Sequence, residues 1–323
     1  MRKRHLCDGI DIPEVGLGCW QLGADWGEVA DSEAQAILDQ AYADGVRLFD
    51  TAAGYGVGRS ERLLGAFKQQ HPDIVIITKS GVWRDPADPE GARKLREGAL
   101  QSRENLGVET IDLLQLHCVP TPVMADDRVW EALAALRDEG IISRFGASVE
   151  TIDEGLMCLQ RAGLASLQII FNCFRQRPLD RLLPEAARAG VGIIVRLPLA
   201  SGLLSGKFGA STAFAENDHR NYNRDGAAFN VGETFAGLTF SDGLRLTADC
   251  DAILPGAAPL AQRAIRWILG HEAVSVVIPG ASKPEQVASN VAAAALPAFS
   301  ATVHEDLRSW CTSEVDPLIR GVY

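Results

Sequence analysis

Asp50, Lys79 and His117 follow one another at intervals of 29 and 38 residues, each at the C-terminal end of a short apolar run. Tyr55 comes just after Asp50 in AAGYGVGRS, where glycines let the backbone bend. A tyrosine hydroxyl has an ordinary pKa of ~10, too high for easy proton exchange near neutrality. A lysine beside it favours the phenolate and lowers that value, and an aspartate keeps the lysine charged and oriented. A histidine from the next run can fix a carbonyl oxygen by hydrogen bonding or relay a proton. Together the four residues suit proton transfer to or from an oxygen atom. Taken singly, each also has a plainer structural reading: an Asp50–Lys79 ion pair, with Tyr55 and His117 as satisfied core residues.

The elements that must bring these side chains together recur along the chain. Apolar or β-branched runs occupy residues 15–18, 46–50, 74–78, 111–117, 143–148, 167–171, 191–196 and 274–279. Runs apolar on both faces read as buried parallel strands. Between them lie helical stripes, such as Ala34, Ile37, Leu38 and Ala41 after an N-cap at Asp31 or Ser32, and Trp130, Leu133 and Leu136. Gly45, Gly107, Gly140, Gly163 and Gly190 each stand between a helical stripe and the next strand, as helix-ending glycines do. Eight strand–helix units predict a (β/α)8 TIM barrel, with an open doubly wound sheet as the alternative. An N-terminal β-hairpin turning at Asp8-Gly9, a long loop over 205–255 after strand seven, and a C-terminal helix containing Val303, Leu307 and Trp310 complete the expectation. In a barrel the active site forms at the C-terminal strand ends, which puts Asp50, Lys79 and His117 on one rim.

The chain has 323 residues, 47% hydrophobic and 23% charged, which fits one large barrel and excludes a disordered protein. A net charge of −11 argues against nucleic acid and anionic membranes as partners. No apolar run reaches the ~18 residues of a membrane span, and Asp8 and Asp11 interrupt any signal-peptide core. Seven scattered cysteines without a CxxC pair fit reduced thiols in the cytoplasm. The six histidines show no paired metal-ligand spacing, so no catalytic metal is expected. GLGCWQ and GYGVGR both miss the last glycine of a dinucleotide fingerprint, and GLLSGKF falls one residue short of a P-loop.

Taken with FDTAAGYGVGRSERLLG (residues 49–65), IITKSG (76–81), LLQLH (113–117) and IPGASKPEQVASN (278–290), nearly the whole chain resembles the aldo-keto reductase superfamily. The resemblance implies that Asp50, Tyr55, Lys79 and His117 are the catalytic tetrad. A nicotinamide cofactor would then give a hydride to a carbonyl carbon while the tyrosine protonates the oxygen, or the reverse. Ser148 matches a serine that holds the carboxamide, although the asparagine often found next to it is Val149 here. Gln168 and Asn172 resemble the strand beneath the nicotinamide. RLPLASGLLSGK (196–207) resembles a cofactor-covering segment, implying contacts from Pro198, Leu199, Ser201, Gly202 and Lys207. Arg196 stands where the family usually has a stacking aromatic; a guanidinium plane can also stack. Gly18, Trp20, Ile278 and Gly280 are further implied cofactor positions.

The final motif has a physical reading of its own. It follows the eighth strand and opens a helix, with Ser282 and Glu285 spaced as a capping box and Pro284 in the first turn. Helix N-termini attract phosphates. Under the resemblance, Ser282, Lys283, Gln286 and Asn290 form the adenosine-phosphate site. NADP(H) is favoured because Lys283 could pair with a 2′-phosphate, and NAD(H) stays open because the family often has arginine where Gln286 stands. The expectation is a single-domain reductase of aldehydes or ketones, or a dehydrogenase of the matching alcohols. Two alternatives are a nicotinamide-binding sensor on the same fold and a barrel lyase or isomerase using Lys79 as a Schiff-base amine. Substrate determinants should include Trp20, Trp26, Trp83 and the 205–255 loop, with packing as the equal alternative for Trp20 and Trp83.

Overall fold

The computed structural model describes residues 1–23 and 29–322. The Asp8-Gly9 turn joins β1 (Lys3–Cys7) to β2 (Ile10–Pro13), an antiparallel hairpin in which Arg4 pairs with Ile12. Leu6, Cys7 and Ile12 of the hairpin pack on Leu48, Ile77, Leu113, Ile194 and Val276, and so plug one end of the barrel. The approach is close enough that a Cβ on Gly192 would lie 2.0 Å from the Leu6 carbonyl oxygen, which is why that strand opens with glycine.

Parallel strands then alternate with helices. The series runs β3 (Leu17–Gly18), α1 (Asp31–Ala43), β4 (Leu48–Asp50), α2 (Arg59–Gln70), β5 (Val75–Ser80), α3 (Gly91–Leu106) and β6 (Leu113–His117). It continues through α4 (Thr121–Ala125), α5 (Asp127–Asp138), β7 (Phe145–Ser148), α6 (Ile152–Cys158), β8 (Leu164–Ile170), α7 (Leu182–Ala189) and β9 (Gly192–Arg196). After β9 come α8 (His219–Tyr222), α9 (Phe240–Ile253), α10 (Leu260–Ile268), β10 (Val274–Val277), α11 (Pro284–Ala292) and α12 (Ala301–Trp310). The strands β3 to β10 form one eight-stranded parallel sheet in sequence order. Its edges meet through bridges between Val15 and Val277 and between Gly18 and Gly280, with the Gly16 amide donating to the Val277 carbonyl at 2.8 Å. The sheet is thus the predicted (β/α)8 TIM barrel, and the doubly wound alternative falls. Among the described residues no helix is long and apolar enough to cross a membrane.

The helical stripes bury as expected: Ala34, Ile37, Leu38 and Ala41 on α1, and Trp130, Leu133 and Leu136 on α5. All five predicted helix-ending glycines adopt positive φ. Helix α1 begins one residue earlier than a cap at Asp31 predicts and two earlier than one at Ser32; its N-cap is Ala30, whose amide donates to Glu33 at 3.0 Å. Residues 205–255 are not simply a loop, since they include α8 and the fourteen-residue α9. The face of α9 that packs inward is Gly243, Leu246, Thr247 and Cys250, at helical spacing but with one large apolar side chain. That composition hides the helix from a hydrophobic-periodicity reading.

Candidate active site

The C-terminal ends of β4, β5 and β6 deliver Asp50, Lys79 and His117 to one rim, as the spacing requires. Tyr55 joins them from the turn between β4 and α2. The Lys79 ammonium donates to Asp50 Oδ1 at 2.7 Å, to the Thr51 carbonyl at 2.7 Å and to the Tyr55 hydroxyl at 3.4 Å. It is 1% exposed. Gln168 Nε2, from β8, donates to the other Asp50 oxygen at 2.7 Å and to Gln115 Oε1 at 3.1 Å. The Tyr55 ring stands edge-on to the His117 imidazole, with centroids 5.7 Å apart, and stacks on Trp20 at 5.8 Å.

The electrostatics differ from the sequence expectation at one point. Lysine was expected to lower the tyrosine value, yet burial outweighs Lys79 and Tyr55 is pushed up to about 12. Burial also opposes the charge on Lys79, but the Asp50 carboxylate and the Tyr55 oxygen outweigh it and hold the ammonium above its ordinary range. Burial pushes the Asp50 carboxyl up, against the pull of Lys79 and Gln168. His117 is held well below the usual histidine value by burial and by the Lys79, Arg196 and Arg84 charges. The rim therefore offers a protonated phenol and a neutral imidazole at neutral pH.

Above this rim opens a cavity of about 870 Å³, within the range of ligand pockets. Asp50, Tyr55 and His117 line it, and Lys79 lies beneath. Gly18, Trp20, Ser148, Gln168 and Arg196 line its deep part together with Ile278 and Gly280. Pro198, Leu199, Ser201, Gly202 and Lys207 form one side, and Ser282, Gln286 and Asn290 lie at the far end by α11. Lys283 is not in the lining; it is the exposed N-cap residue of α11, and Pro284 takes the first position.

Several predicted positions do something other than expected. The Ser282–Glu285 capping box does not form; instead Gln286 Oε1 accepts from the Ser282 amide at 2.7 Å and its hydroxyl at 3.1 Å. Ser201 spends its hydroxyl on the chain itself, donating to the Glu233 carbonyl at 2.9 Å and accepting from the Phe235 amide at 3.1 Å. Trp83 is 2% exposed, with its ring against Gly91 and its Nε1 donating to Asp85 O at 3.0 Å, so it is a packing residue and not a substrate wall. Asn172 is likewise structural, bonding the Leu197 carbonyl and the Phe174 amide. Trp26 lies outside the described residues.

Four charged lining residues were missed: Arg84, Glu150, Glu233 and Arg220, the last ion-paired with Asp218. Arg84 follows β5 and Glu150 follows β7, so the strand-end filter that found His117 could have found both. Glu233 lies 37 residues beyond Arg196 in the β9–α10 connection, where no motif marks it. It ion-pairs with Arg196, whose guanidinium also donates to the Val149 carbonyl at 3.0 Å and toward Cys118 Sγ at 3.7 Å. Among the described residues, the one group with metal-ligating atoms close together is Cys118, Glu150 and Glu233. Arg196 already donates to two of its three members.

Several features of this cavity suit a polar ligand. A Cβ on Gly18 would lie 2.8 Å from the Ile278 carbonyl oxygen, so glycine is needed for this close approach of β3 to the segment after β10, and one on Gly280 would displace the Gln21 amide. Gln21 Oε1 and Arg196 Nε are buried polar atoms without a partner, as in a site built to receive polar groups. The backbone at Leu197, Ala200 and Ser201 takes positive φ, a strained turn of the kind found at binding sites.

The sequence profile of the Aldo/keto reductase family matches residues 14–310. Among curated proteins, the chain is similar to the uncharacterized oxidoreductase YqkF of Bacillus subtilis, 30% identical with 91% of each chain covered. It is similar to a D-threo-aldose 1-dehydrogenase from a Pseudomonas species, 29% identical with 89% of this chain and 91% of the other covered. Among solved structures it is similar in fold to a glycerol dehydrogenase from Gluconobacter oxydans, with a TM-score of 0.79 at 24% identity, covering 99% and 98% of the two chains.

Proposed function

The chain belongs to the aldo/keto reductase family of oxidoreductases, which act on small carbonyl compounds and alcohols, and from that premise we propose a reaction and its residues. The protein reduces an aldehyde or ketone to the alcohol, or runs the reverse, with Tyr55 as general acid and base. A bound nicotinamide supplies or accepts the hydride at the carbonyl carbon. One observation carries the reading: Lys79 joins Asp50 and Tyr55 beneath a cavity that Tyr55 and His117 both face.

Tyr55 Oη holds the proton. A phenol pushed up to about 12 stays protonated at neutral pH and is still far more acidic than the alcohol formed when it protonates the alkoxide. In the reverse direction the Lys79 ammonium stabilises the phenolate that must accept the alcohol proton. Asp50 keeps that ammonium charged and aimed, and Gln168 keeps Asp50 in place. His117, being neutral, donates a hydrogen bond to the substrate oxygen without adding charge.

The rest of the cavity suits a dinucleotide. Ser148 and Gln168 offer polar groups at the deep end, the α11 N-terminus attracts phosphate, and Lys207 adds a cation on the side wall. NADP(H) is favoured over NAD(H) on Lys283, exposed at the α11 N-terminus with no ion pair among the described residues. Glu285 and Gln286 in the lining put the whole preference on that lysine. A hydroxylated substrate such as an aldose is the class that Arg84, Glu150 and Trp20 at the cavity wall fit, and one relative is named a D-threo-aldose 1-dehydrogenase.

The test is an absorbance assay of the reduced nicotinamide, with NADPH and NADH separately, across aldehydes, ketones and aldoses, and with both oxidised forms across alcohols and aldoses. The reading predicts saturable turnover with at least one dinucleotide. Tight dinucleotide binding without turnover on any substrate would favour a sensor, and no binding at all would overturn the reading.

A further inference from the structure

We infer that the charged wall made by Arg196, Glu233 and Glu150 sets the relative affinity of this site for oxidised and reduced nicotinamide, with Glu233 offsetting the charge of Arg196. The inference rests on the proposed nicotinamide chemistry and concerns which redox state of the cofactor the site retains.

The wall is a built feature. Arg196 ends β9 and is 8% exposed. Its ion pair with Glu233 has side-chain exposures of 10% and 13%, so little water screens it. Glu150 brings a second carboxylate to the same wall. Reactive atoms of Cys118, Glu150 and Glu233 all lie within 4.8 Å of one another. The Arg196 Nε remains buried without a partner, so the guanidinium is not fully satisfied by the protein. All three charged residues line the cavity on the side where Ser148, Gln168 and His117 stand.

Hydride transfer requires the nicotinamide to lie against the carbonyl that Tyr55 hydrogen-bonds. The deep end of the cavity is therefore its place, and this wall is one of the surfaces bounding it. Arg196 is close enough to act electrostatically on both Asp50 and His117, so it also acts on a ring held beside them. That ring is neutral when reduced and carries one positive charge when oxidised. The same wall therefore interacts differently with the two states, while contacts to the phosphates and adenosine are common to both. An unbalanced Arg196 would repel the oxidised ring. Glu233 cancels that repulsion, and Glu150 turns the balance towards the cation. The site is thereby tuned to retain the oxidised cofactor over the reduced one.

The measurement is the dissociation constant of the wild type and four variants for NADP+ and for NADPH, by fluorescence titration at pH 8 without substrate. The NAD+ and NADH pair is used if the wild type binds it more tightly. Glu233→Gln should weaken binding of the oxidised form relative to the reduced form by roughly fivefold or more, the scale of one buried charge at an effective dielectric of about 20. Arg196→Met should shift the ratio the other way. Arg196→Lys and the double variant Arg196→Met/Glu233→Gln should lie near the wild type, because each preserves the charge balance. A purely structural role would move both affinities together and could not give opposite signs in the two single variants. Ratios that are unmoved, or that shift in the same direction in both, overturn the inference while leaving the nicotinamide reading in place. Failure of the wild type to bind either form overturns both.

Discussion

Gln168 donates from its amide to Asp50 Oδ2 at 2.7 Å, while the opposite oxygen of the same carboxylate takes the Lys79 ammonium at 2.7 Å. The carboxylate is thereby fixed from two strands, β8 and β5. Gln168 is tied in turn to Gln115 and, through it, to Ser166. Replacing it with an apolar side chain strands one oxygen of a buried carboxylate. We expect Gln168→Leu to lower stability by about 1–3 kcal/mol and kcat by roughly tenfold or more, through a misplaced Lys79. Urea denaturation and steady-state kinetics read the two effects. A variant as active as wild type would show that Asp50 needs no support from β8.

The pH dependence follows from Tyr55. Its protonated form is the acid for reduction, so that activity is present below the tyrosine value and lost as pH rises through about 12. Between about pH 6 and 10 the kcat for reduction should be flat. Oxidation needs the phenolate and should rise with pH over the same range. His117 is already neutral, so neither profile should show a step near the ordinary histidine value. A bell centred near neutrality would contradict this assignment.

In the proposed function, dinucleotide choice turns on Lys283. With Glu285 and Gln286 facing the cavity, an alanine at 283 leaves a 2′-phosphate without the lysine charge at the α11 N-terminus. Lys283→Ala should weaken NADPH binding by roughly threefold to tenfold, as for one exposed ion pair of up to about 1 kcal/mol or slightly more, and leave NADH unchanged. Equal effects on both would move the preference elsewhere.

Acid stability has a contributor far from the site. His271 packs among Phe171, Trp267 and His304 with its Nε2 buried and unpartnered. Burial, with help from His304 and Arg4, pushes it down to about 3. The folded state therefore binds fewer protons than the unfolded chain, and stability present above the ordinary histidine value of ~6.5 falls as pH drops towards about 3, at up to about 1.4 kcal/mol per pH unit. His304, lowered by burial and Arg266, adds to the same window. His271→Phe should shallow the decline of the melting temperature between about pH 6.5 and 4.5. An unchanged slope would remove His271 from the explanation.

The sequence exposes what repeats or reacts. Strand spacing predicts the barrel, and the ends of three consecutive strands predict Asp50, Lys79 and His117 on one rim. It hides what depends on the chain folding back. Helix α9 carries one large apolar residue on its buried face, so its periodicity is weak. Glu233 meets Arg196 only because the β9–α10 connection returns over the cavity, and nothing in its neighbourhood sets it apart from a solvated glutamate. The capping-box spacing at Ser282 is present, but the side chain that bonds Ser282 is Gln286 one turn on. Tyr55 shows the limit of reading charge from neighbours alone: Lys79 is in place, and burial still decides the direction.

In the proposed reaction Tyr55 Oη exchanges the proton, and the most direct test of that role is kcat for carbonyl reduction by Tyr55→Phe. Phenylalanine keeps the ring that stacks on Trp20 and loses only the hydroxyl that Lys79 contacts. The expected result is a fall of roughly a hundredfold to ten-thousandfold in kcat, with the dinucleotide dissociation constant within about twofold of wild type. A variant that reduces carbonyl substrates at a near-normal rate would contradict it.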